Sequence, residues 1–372
     1  MKILYVTTIA VTMGFFPAHI RMLQEAGHQV ELACNLDKPL PPAVRELGCA
    51  AHHIPFSRSP LSGDNLRAYG ELKKLLSKGR YDIVHTHTPN ASAIVRLVCR
   101  PLRRQGLRVF YTAHGFHFYN GAPLKNWLLY YPVERILSQW TDVLITINGE
   151  DYRRATGKFR AKKTVYVPGV GMDIERFSVT CSEEERQEKR RELGVPSDGL
   201  LLLSVGELNR NKNHSVVIRA LATLGNPSIH YCVAGMGALR EELESLAAEL
   251  GVEKQVHLLG YRTDVDKLYQ AADVFLCPSI REGLNVSIME AMASGLPVVA
   301  SDNRGSRDQL KNNVNGFLCR ANRMEEFAAA IEKLMEVPGL RKEMGARNRE
   351  VVRKFSSKYI LRELESVFKM EW

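Results

Sequence analysis

Short apolar runs alternate with longer amphipathic stretches along the chain. In the first half, six runs rich in β-branched residues have the pattern of buried strands: MKILYVTT, HQVELACN, YDIVHTH, RVFYTAHG, DVLITING and KTVYVPGV. Stretches whose apolar residues recur at three- and four-residue spacing lie between them and predict helices: AHIRMLQEAG, LRAYGELKKLLSKG and LKNWLLYYPVERILSQW.

The second half repeats this alternation. Its predicted strands are LLLSVGEL, IHYCVAG, VHLLGY, ADVFLCPS and PVVASD, and helical spacing occurs in NHSVVIRALATL, LREELESLAAELG, TDVDKLYQAAD, NVSIMEAMASG and MEEFAAAIEKLMEV. Strand–helix alternation predicts an α/β protein with two doubly wound, mostly parallel domains. Pro and Gly at 167–177 mark the junction, and the highly charged stretch at 183–192 that follows is predicted to be a helix. We therefore expect domains at 1–175 and 176–355. Ligands of such sheets bind beyond the carboxyl ends of the strands, and we expect a cleft between facing strand-end loops.

Composition narrows the class of protein. The 372 residues are 45% hydrophobic and 25% charged, which is typical of a folded protein and not of a disordered or low-complexity one. No apolar run reaches the roughly 18 residues of a membrane-spanning helix. The first residues have a strand pattern and no signal-peptide pattern. Seven scattered cysteines without a CxxC pair predict free thiols in a reducing cytoplasm.

Charge is distributed unevenly. Residues 1–180 contain 24 basic and 13 acidic residues, so they carry the whole of the chain's net charge of +10, while the remainder is close to neutral. A basic half favours a polyanionic partner such as nucleic acid, an anionic membrane face or a diphosphate, although a merely solvated basic surface is an alternative. No nucleic-acid recognition motif is present, so we expect no nucleic-acid partner.

The segment with the most chemistry is Arg281-Glu-Gly-Leu-Asn-Val-Ser-Ile-Met-Glu-Ala-Met-Ala-Ser-Gly295. It follows a predicted strand, Gly283 allows a sharp turn, and Asn285 or Ser287 can cap the helix that begins there. The free N–H groups and dipole of such a helix start favour an anion. Glu282 and Glu290 flank this position and could accept hydrogen bonds from the hydroxyls of a sugar nucleotide. The alternative is that both are ordinary surface carboxylates.

The spacing of Glu282 and Glu290 resembles the E-x7-E element of the retaining GT-B glycosyltransferases of family 4. The resemblance covers nearly the whole chain and includes Gly206-Glu-Leu-Asn-Arg-Asn-Lys212, Gly260-Tyr-Arg and Asn315-Gly-Phe. Thr112-Ala-His-Gly-Phe-His-Phe-Tyr-Asn-Gly-Ala-Pro and Trp127-Leu-Leu-Tyr-Tyr-Pro-Val-Glu-Arg135 look more narrowly like bacterial exopolysaccharide and capsule glycosyltransferases of the EpsD type. The resemblance implies a GT-B fold, in which two Rossmann-like domains face each other across a cleft. It also implies that the last helix (about 356–372) crosses back to the first domain.

The resemblance also implies roles for individual residues. Glu282 would contact the donor sugar and Glu290 the ribose of the nucleotide, while Lys212 would neutralise the departing diphosphate, a stabilisation of developing charge. Further donor-binding positions are the backbone of Gly283, Leu284, Asn285 and Val286, and the side chain of Tyr261.

The chain departs from the family at Glu207, where many members carry an arginine that binds the diphosphate. A carboxylate there would repel a diphosphate. We expect a substitute cation, either Arg210 or one of Arg304 and Arg307 in the loop Asp302-Asn-Arg-Gly-Ser-Arg307. The alternative is that Glu207 has a different task.

The first half is expected to supply the acceptor side. Gly14 resembles the glycine of the loop after the first strand, His114 matches the family's histidine near the transferred sugar, and His117 is a weaker acceptor-side candidate. His85 and His87 form an HxH pair that could chelate zinc from a strand, but no third ligand at suitable spacing completes it. We therefore expect strand-end histidines, no metal and no cofactor; the resemblance likewise implies metal-independent transfer.

The resemblance implies retaining transfer from a UDP-sugar, with a hexosamine or a hexose as the sugar, to a glycan linked to undecaprenyl diphosphate in exopolysaccharide or capsule biosynthesis. Alternatives are a non-catalytic GT-B partner subunit, a sugar-nucleotide epimerase and a phosphorylase.

A weak contact with the cytoplasmic membrane face is expected from clustered basic and aromatic residues. These are Arg96, Arg100, Arg103, Arg104, Arg108, Trp127, Leu128, Tyr130, Tyr131 and Trp140. Core packing of the aromatic residues is the alternative. The protein would then be cytoplasmic with a reversible peripheral membrane contact.

Overall fold

The computed structural model describes residues 1–369 and divides into two compact units. The first consists of Met1–Gly171 together with the chain from Ser357 onward, and the second is Met172–Ser356. We call them the first and second domains. The last three residues of the predicted C-terminal helix, 370–372, lie outside the described residues.

The first domain is built on a seven-stranded sheet in which every neighbouring pair is parallel, in the order β3-β2-β1-β4-β5-β6-β7. Its central strands are buried on both faces, as expected for a parallel sheet covered by helices. The strands are β1 Lys2–Ile9, β2 Gln29–Asn35, β3 Ala51–His53, β4 Ile83–Thr86, β5 Arg108–Ala113, β6 Val143–Thr146 and β7 Lys163–Tyr166.

Helices cover both faces of this sheet. They are α1 Pro17–Glu25, α2 Pro42–Arg45, α3 Asp64–Gly79, α4 Pro89–Leu102, α5 Leu124–Ser138, α6 Gly149–Lys158 and, from the end of the chain, α16 Ser357–Lys369. The apolar positions of α16 recur every three or four residues, and Ile360, Leu364 and Val367 enter the core beside α1. The C-terminal helix therefore belongs to the first domain.

The second domain repeats the architecture with six parallel strands in the order β10-β9-β8-β11-β12-β13. The four leucines that begin β8 are buried, because helices pack on both faces of the strand. The strands are β8 Leu200–Val205, β9 Ile229–Ala234, β10 Val256–Gly260, β11 Val274–Cys277, β12 Val298–Ser301 and β13 Gly316–Cys319.

The helices of the second domain are α7 Ile174–Ser178, α8 Glu183–Glu192, α9 His214–Leu224, α10 Arg240–Glu249, α11 Val265–Ala271, α12 Val286–Ala293, α13 Arg304–Gln309, α14 Met324–Glu336 and α15 Pro338–Val351. The predicted charged helix at 183–192 is α8, which begins with a capping box between Ser182 and Glu185.

The prediction of two doubly wound α/β domains is confirmed. The apolar pattern missed the short strands β3 and β13 and the helices α2, α13 and α15. It also missed α6, whose buried side chains include Glu150 and Asp151. Asp151 is buried because its carboxylate accepts the backbone N–H of Phe116. Such a polar buried face has no apolar period to detect. None of the helices within residues 1–369 is both long and apolar enough to cross a membrane.

Candidate active site

Strand order places three loops of the second domain side by side. β8, β11 and β12 are adjacent in the parallel sheet, so the loops that follow them leave from the same edge. These loops are residues 206–213, 278–285 and 302–303. They contain Lys212, Glu282 and the cap of α13, and the first two are predicted site residues.

Asparagines lock the loop of Lys212 to the loop of Glu282. The side-chain amide of Asn211 donates to the carbonyl of Arg281 at 3.1 Å, and the backbone carbonyl of Asn211 accepts the N–H of Ile280 at 2.8 Å. Asn213 donates to the carbonyl of Pro278 at 3.2 Å. Lys212 lies between Asn211 and Asn213, so their hydrogen bonds fix the position of its backbone relative to the second loop.

Lys212 and Glu282 form an ion pair. The Lys212 ammonium donates to Oε1 of Glu282 at 2.9 Å, and the two side chains are 22% and 16% exposed. Burial alone would lower the pKa of Lys212, but the Glu282 carboxylate outweighs it and raises the pKa. The lysine therefore carries its charge throughout the physiological range, as neutralisation of a phosphate requires.

The N-terminus of α12 lies beside this pair. Asn285 is its cap, and its side-chain oxygen accepts the N–H groups of Ser287 and Ile288 at 2.9 and 3.3 Å. The N–H of Asn285 faces the Gln309 oxygen at 3.4 Å. Within the described residues, the N–H groups of Gly283, Leu284 and Val286 remain uncommitted and are the donors available to an anion.

Glu290 lies one turn into α12 and is largely withdrawn from solvent. The Tyr269 hydroxyl donates to its Oε2 at 2.8 Å and also to the carbonyl of Ser287 at 3.2 Å. Burial raises the pKa of Glu290, while Tyr269 and the nearby Arg176 oppose that rise. Tyr269 is fully buried and was not among the predicted site residues, because a tyrosine inside an amphipathic helix has the pattern of ordinary core.

Arg304, one of the arginines proposed to substitute at Glu207, contacts the backbone of Glu282. It is 5% exposed, and its Nε donates to the carbonyl of Glu282 at 3.3 Å. Arg307 pairs with Asp302 at 2.6 Å on the surface. Arg210 is exposed, and Glu207 accepts from the side chain of Asn209 at 2.8 Å.

Glycines set how closely the neighbouring loop approaches. A Cβ on Gly235 would lie 1.8 Å from the Gly206 carbonyl oxygen, and one on Gly237 would lie 2.3 Å from that of Leu208. The Gly-Met-Gly sequence thus packs against the loop that carries Lys212.

Tyr261 follows the edge strand β10, about 10 Å from β8 at the usual spacing of strands, and is 72% exposed.

In the first domain, a cluster of histidines occupies the corresponding strand ends. His87 and His114 follow the neighbouring strands β4 and β5, and Nδ1 of His87 lies 3.3 Å from Nε2 of His114. The ring of His85 lies 4.1 Å from that of His87. His19 donates from Nε2 to the Val170 carbonyl at 2.7 Å. The part played by His19 was not predicted, because its helix is separated from the HxH pair in sequence.

Burial keeps these histidines neutral. It lowers the pKa of His114 to about 4, with a further contribution from His19, and burial lowers the pKa of His19 to about 4 as well. Burial also lowers the pKa values of His85 and His87 well below the ordinary value. Among residues 1–369, no group of three His, Cys, Asp or Glu side chains is placed to hold a metal ion. Metal independence stays a prediction.

The two other acceptor-side candidates lie near this end of the sheet. Gly14 is exposed in the 3₁₀ turn Ala10–Phe15 directly after β1. The His117 ring stacks on Tyr130 with ring centroids 4.6 Å apart. Both positions therefore belong to the first domain, and neither is close in sequence to the donor-side loops.

The predicted membrane-contact residues need correction. Arg96 is 1% exposed and donates to Glu134 at 2.8 Å inside the domain, so it cannot face a membrane. Trp127 and Tyr131 pack on Phe118, which shows that these aromatic residues are partly core. The remaining four arginines line one cavity of about 530 Å³ together with Trp140, Asp142 and Lys162: Arg100, Arg103, Arg104 and Arg108.

Two family models match the two domains in order. Residues 18–169 match the glycosyl transferase 4-like domain, and residues 185–351 match glycosyl transferases group 1. The chain belongs to the GT-B glycosyltransferases of family 4. It is therefore a member of an enzyme family. Lys212, Glu282 and Glu290, on which the resemblance rests, lie in the loops after β8 and β11 and in the first turns of α12.

Curated relatives of this family 4 chain include a protein of Bacillus subtilis assigned as the glycosyltransferase EpsD. The two are 40% identical over 371 residues, which cover 99% of this chain and 96% of that protein. The UDP-Gal:alpha-D-GlcNAc-diphosphoundecaprenol alpha-1,3-galactosyltransferase of Escherichia coli is 29% identical over 280 residues, covering 73% of this chain and 71% of that enzyme.

Solved structures of GT-B proteins share the fold over the whole chain. HepE of Anabaena, crystallised with UDP, matches with a TM-score of 0.83 at 20% identity, and the match covers 100% of both chains. The lipopolysaccharide glycosyltransferase WaaG matches with a TM-score of 0.75 at 20% identity, covering 98% of this chain and 99% of that one. At this identity the likeness establishes the fold alone.

Proposed function

We propose that the protein is a retaining glycosyltransferase that moves a hexose or hexosamine from a UDP-sugar to a glycan carried on undecaprenyl diphosphate, in exopolysaccharide or capsule assembly. The observation that carries the proposal is the Lys212–Glu282 ion pair at 2.9 Å beside the start of α12. The relatives described above support the donor and the acceptor, since one uses UDP-galactose with a diphosphoundecaprenol acceptor by name.

The second domain binds the donor in this proposal. Uncommitted N–H groups at the start of α12 and the Lys212 ammonium receive the diphosphate, and Arg304 supplies the cation that Glu207 cannot. The Glu290 carboxylate accepts from the ribose hydroxyls. When the diphosphate binds, it replaces Glu282 as the partner of the Lys212 ammonium. The Glu282 carboxylate then turns towards the sugar hydroxyls.

Catalysis rests on the leaving group. Negative charge develops on the UDP oxygen as the glycosidic bond breaks, and a positioned ammonium stabilises that charge more in the transition state than in the ground state. Lys212 is suited to this because its two neighbours are tied to the opposite loop. The acceptor hydroxyl attacks the anomeric carbon on the face from which UDP departs, and the bond from that carbon to the phosphate oxygen breaks. The departing phosphate oxygen takes the acceptor proton, so the transfer needs no enzymic nucleophile and no metal ion. His114 is a neutral site residue of the first domain.

The protein acts at the cytoplasmic face of the membrane in this proposal and binds it reversibly. Helix α5 has a row of exposed apolar side chains, and the basic cavity of Arg100, Arg103, Arg104 and Arg108 lies beyond its C-terminal end. An apolar helix face next to basic residues suits an interface with anionic lipid. The exposed side chains are Leu124, Leu128, Leu129, Val133 and Ile136.

The proposal is tested by incubating purified protein with a panel of UDP-sugars and following UDP release, with and without a lipid-linked acceptor. We expect one donor to be consumed, and we expect Glu282→Ala to abolish its consumption. Glu249→Ala, an exposed carboxylate on α10, is the matched control and should behave as wild type. Nuclear magnetic resonance of the product then reports whether the anomeric configuration is retained.

Other outcomes of this assay would support the alternative functions. If the protein neither turns over nor binds any UDP-sugar, it is a non-catalytic partner subunit. Turnover that requires inorganic phosphate would indicate a phosphorylase, and conversion of the sugar without loss of UDP would indicate an epimerase. An inverted product would contradict the retaining mechanism.

A further inference from the structure

The first domain contains an apolar cavity of about 550 Å³, and its volume is typical of a ligand pocket. We call it the apolar cavity. Its walls come from α4, α5 and the segments that follow β3 and β5. The lining includes Leu61, Phe116, Phe118, Leu129, Tyr130 and Val133.

Most residues that line the apolar cavity are apolar or aromatic, and three of its polar side chains, Glu134, Tyr111 and Asn90, already form hydrogen bonds within the protein. Glu134 accepts from Arg96 at 2.8 Å and from the Tyr111 hydroxyl at 3.4 Å. The Asn90 amide donates to the carbonyls of Ser57 and Arg58 at 3.1 and 2.7 Å. A sugar needs several uncommitted donors and acceptors, so the lining favours an apolar occupant.

A smaller cavity of about 240 Å³ continues from it, and we call this the polar cavity. The two share five lining residues: Pro60, Pro89, Asn90, His117 and Tyr130. The polar cavity also includes Thr8, Thr12 and Thr88 from the carboxyl ends of β1 and β4, and among residues 1–369 Arg58 is the one charged residue that lines it. The hydroxyls of Thr8 and Thr88 share a hydrogen bond at 2.7 Å, which uses one of their two protons. The other proton, the Thr12 hydroxyl and the Arg58 guanidinium suit a phosphorylated group.

At its other side the apolar cavity meets the exposed face of α5. Leu129 and Val133 line the cavity and are themselves 63% and 48% exposed, so the cavity wall runs directly into the apolar surface of the helix. Three surfaces therefore follow one another in space: an apolar helix face, the apolar cavity, and the polar cavity with Arg58. An isoprenoid diphosphate has the same order of chemistry, from lipid to phosphate.

We propose that the apolar cavity holds the first isoprene units of the acceptor's carrier lipid, with the diphosphate in the polar cavity beside Arg58. The inference rests on the proposed function for the identity of the lipid. It adds a binding site in the first domain, and it predicts that the enzyme distinguishes acceptors by their lipid as well as by their sugar.

The test is a calorimetric titration with two probes, farnesyl diphosphate below its micelle concentration and inorganic pyrophosphate, both in the presence of UDP to occupy the donor site. We expect the Kd of farnesyl diphosphate to be at least tenfold lower than that of pyrophosphate. Ala93→Phe fills the apolar cavity, and Val133→Asp places a charge in it. Each should raise the farnesyl diphosphate Kd at least tenfold and change the pyrophosphate Kd less than twofold.

Leu97→Asp is the matched control, because Leu97 lies one turn beyond Ala93 on α4, is 42% exposed and does not line the cavity. It should leave both Kd values unchanged. Equal affinities for the two probes, or equal losses in Val133→Asp and Leu97→Asp, would overturn the inference. Two cavity variants keep the test decisive if one of them fails to fold. Donor turnover is measured separately, so failure of the proposed function and failure of this site give different results.

Discussion

The two domains place polar clusters at equivalent strand ends but use opposite electrostatics. In the second domain the cluster is charged, with Lys212, Glu282 and Arg304 in contact through side-chain or backbone atoms. In the first domain it consists of buried neutral histidines around His87 and His114. The charged cluster lies at loops and a helix start, whereas the histidines lie against the sheet itself.

The difference shows how one architecture is adapted to two ligands. A diphosphate brings its own charge, and fixed cations with free N–H groups compensate it without the cost of burying an unpaired ion. A neutral cluster imposes no such requirement and suits uncharged hydroxyls. The first domain does contain buried charges, but Arg96 and Glu134 neutralise each other beneath the apolar cavity. We therefore expect the buried charges of the first domain to stabilise its fold, and the charges at the strand ends of the second domain to bind the donor.

The largest effect is expected from breaking the Arg96–Glu134 pair. Arg96→Met leaves a buried carboxylate without its partner and should lower the free energy of unfolding by about 3–5 kcal/mol. Urea denaturation followed by tryptophan fluorescence measures it. Adding Glu134→Leu should recover most of the loss. Arg67→Met, which breaks an exposed ion pair with Asp64, is the control and should cost less than about 1 kcal/mol. Equal losses in the two single variants would contradict the structural role.

The next effect concerns the charged cluster of the second domain. Lys212→Ala should lower kcat about 10²–10³-fold because it removes the cation that stabilises the departing UDP. Steady-state UDP release measures kcat, and the melting temperature should change little. Lys254→Ala, an exposed lysine in the same domain, is the control. A rise in KM at unchanged kcat would show that Lys212 only binds the donor.

Stability of the first domain should depend on pH through its histidines. His114 has a pKa of about 4 in the folded protein and about 6.5 when unfolded, so between these values the unfolded state binds more protons. Stability therefore rises with pH across this window and is lost as the pH falls, by about 1.4 kcal/mol per pH unit for each such histidine.

Denaturation at pH 7, 6 and 5 checks this prediction. Trp127 and Trp140 both lie in the first domain, and residues 172–356 contain no tryptophan, so the fluorescence reports the first domain. His19→Asn should reduce the slope of stability against pH. An unchanged slope in His19→Asn would indicate that His19 binds the same number of protons in the folded and unfolded states, and would contradict its lowered pKa.

The smallest effect is expected at the membrane. Arg100→Ala and Arg104→Ala should each weaken binding to anionic vesicles by about 1 kcal/mol, or roughly fivefold. Sedimentation with vesicles containing phosphatidylglycerol measures it, and added salt should reduce the difference. Arg67→Ala on α3 is the exposed control. Equal binding to neutral vesicles would contradict an electrostatic contact.

Prediction from sequence succeeded where a repeated pattern carried the information. Strand–helix alternation predicted the two parallel sheets, and α8 was predicted at the residues where it is found. The pattern missed α6 because its buried side chains are carboxylates. It also misassigned Arg96 to the surface, since the buried partner Glu134 lies 38 residues away and a helical period does not reveal which face is covered.

The sequence by itself determined the class of fold, the family and the residues around which the donor site is proposed, because hydrophobic period and short motifs are local properties. Only the tertiary structure decided which residues meet. Lys212 pairs with Glu282 across 70 residues, Tyr269 holds Glu290, and His19 joins the HxH histidines. Strand order brings these groups together, and strand order depends on long-range packing, which no local pattern along the chain encodes.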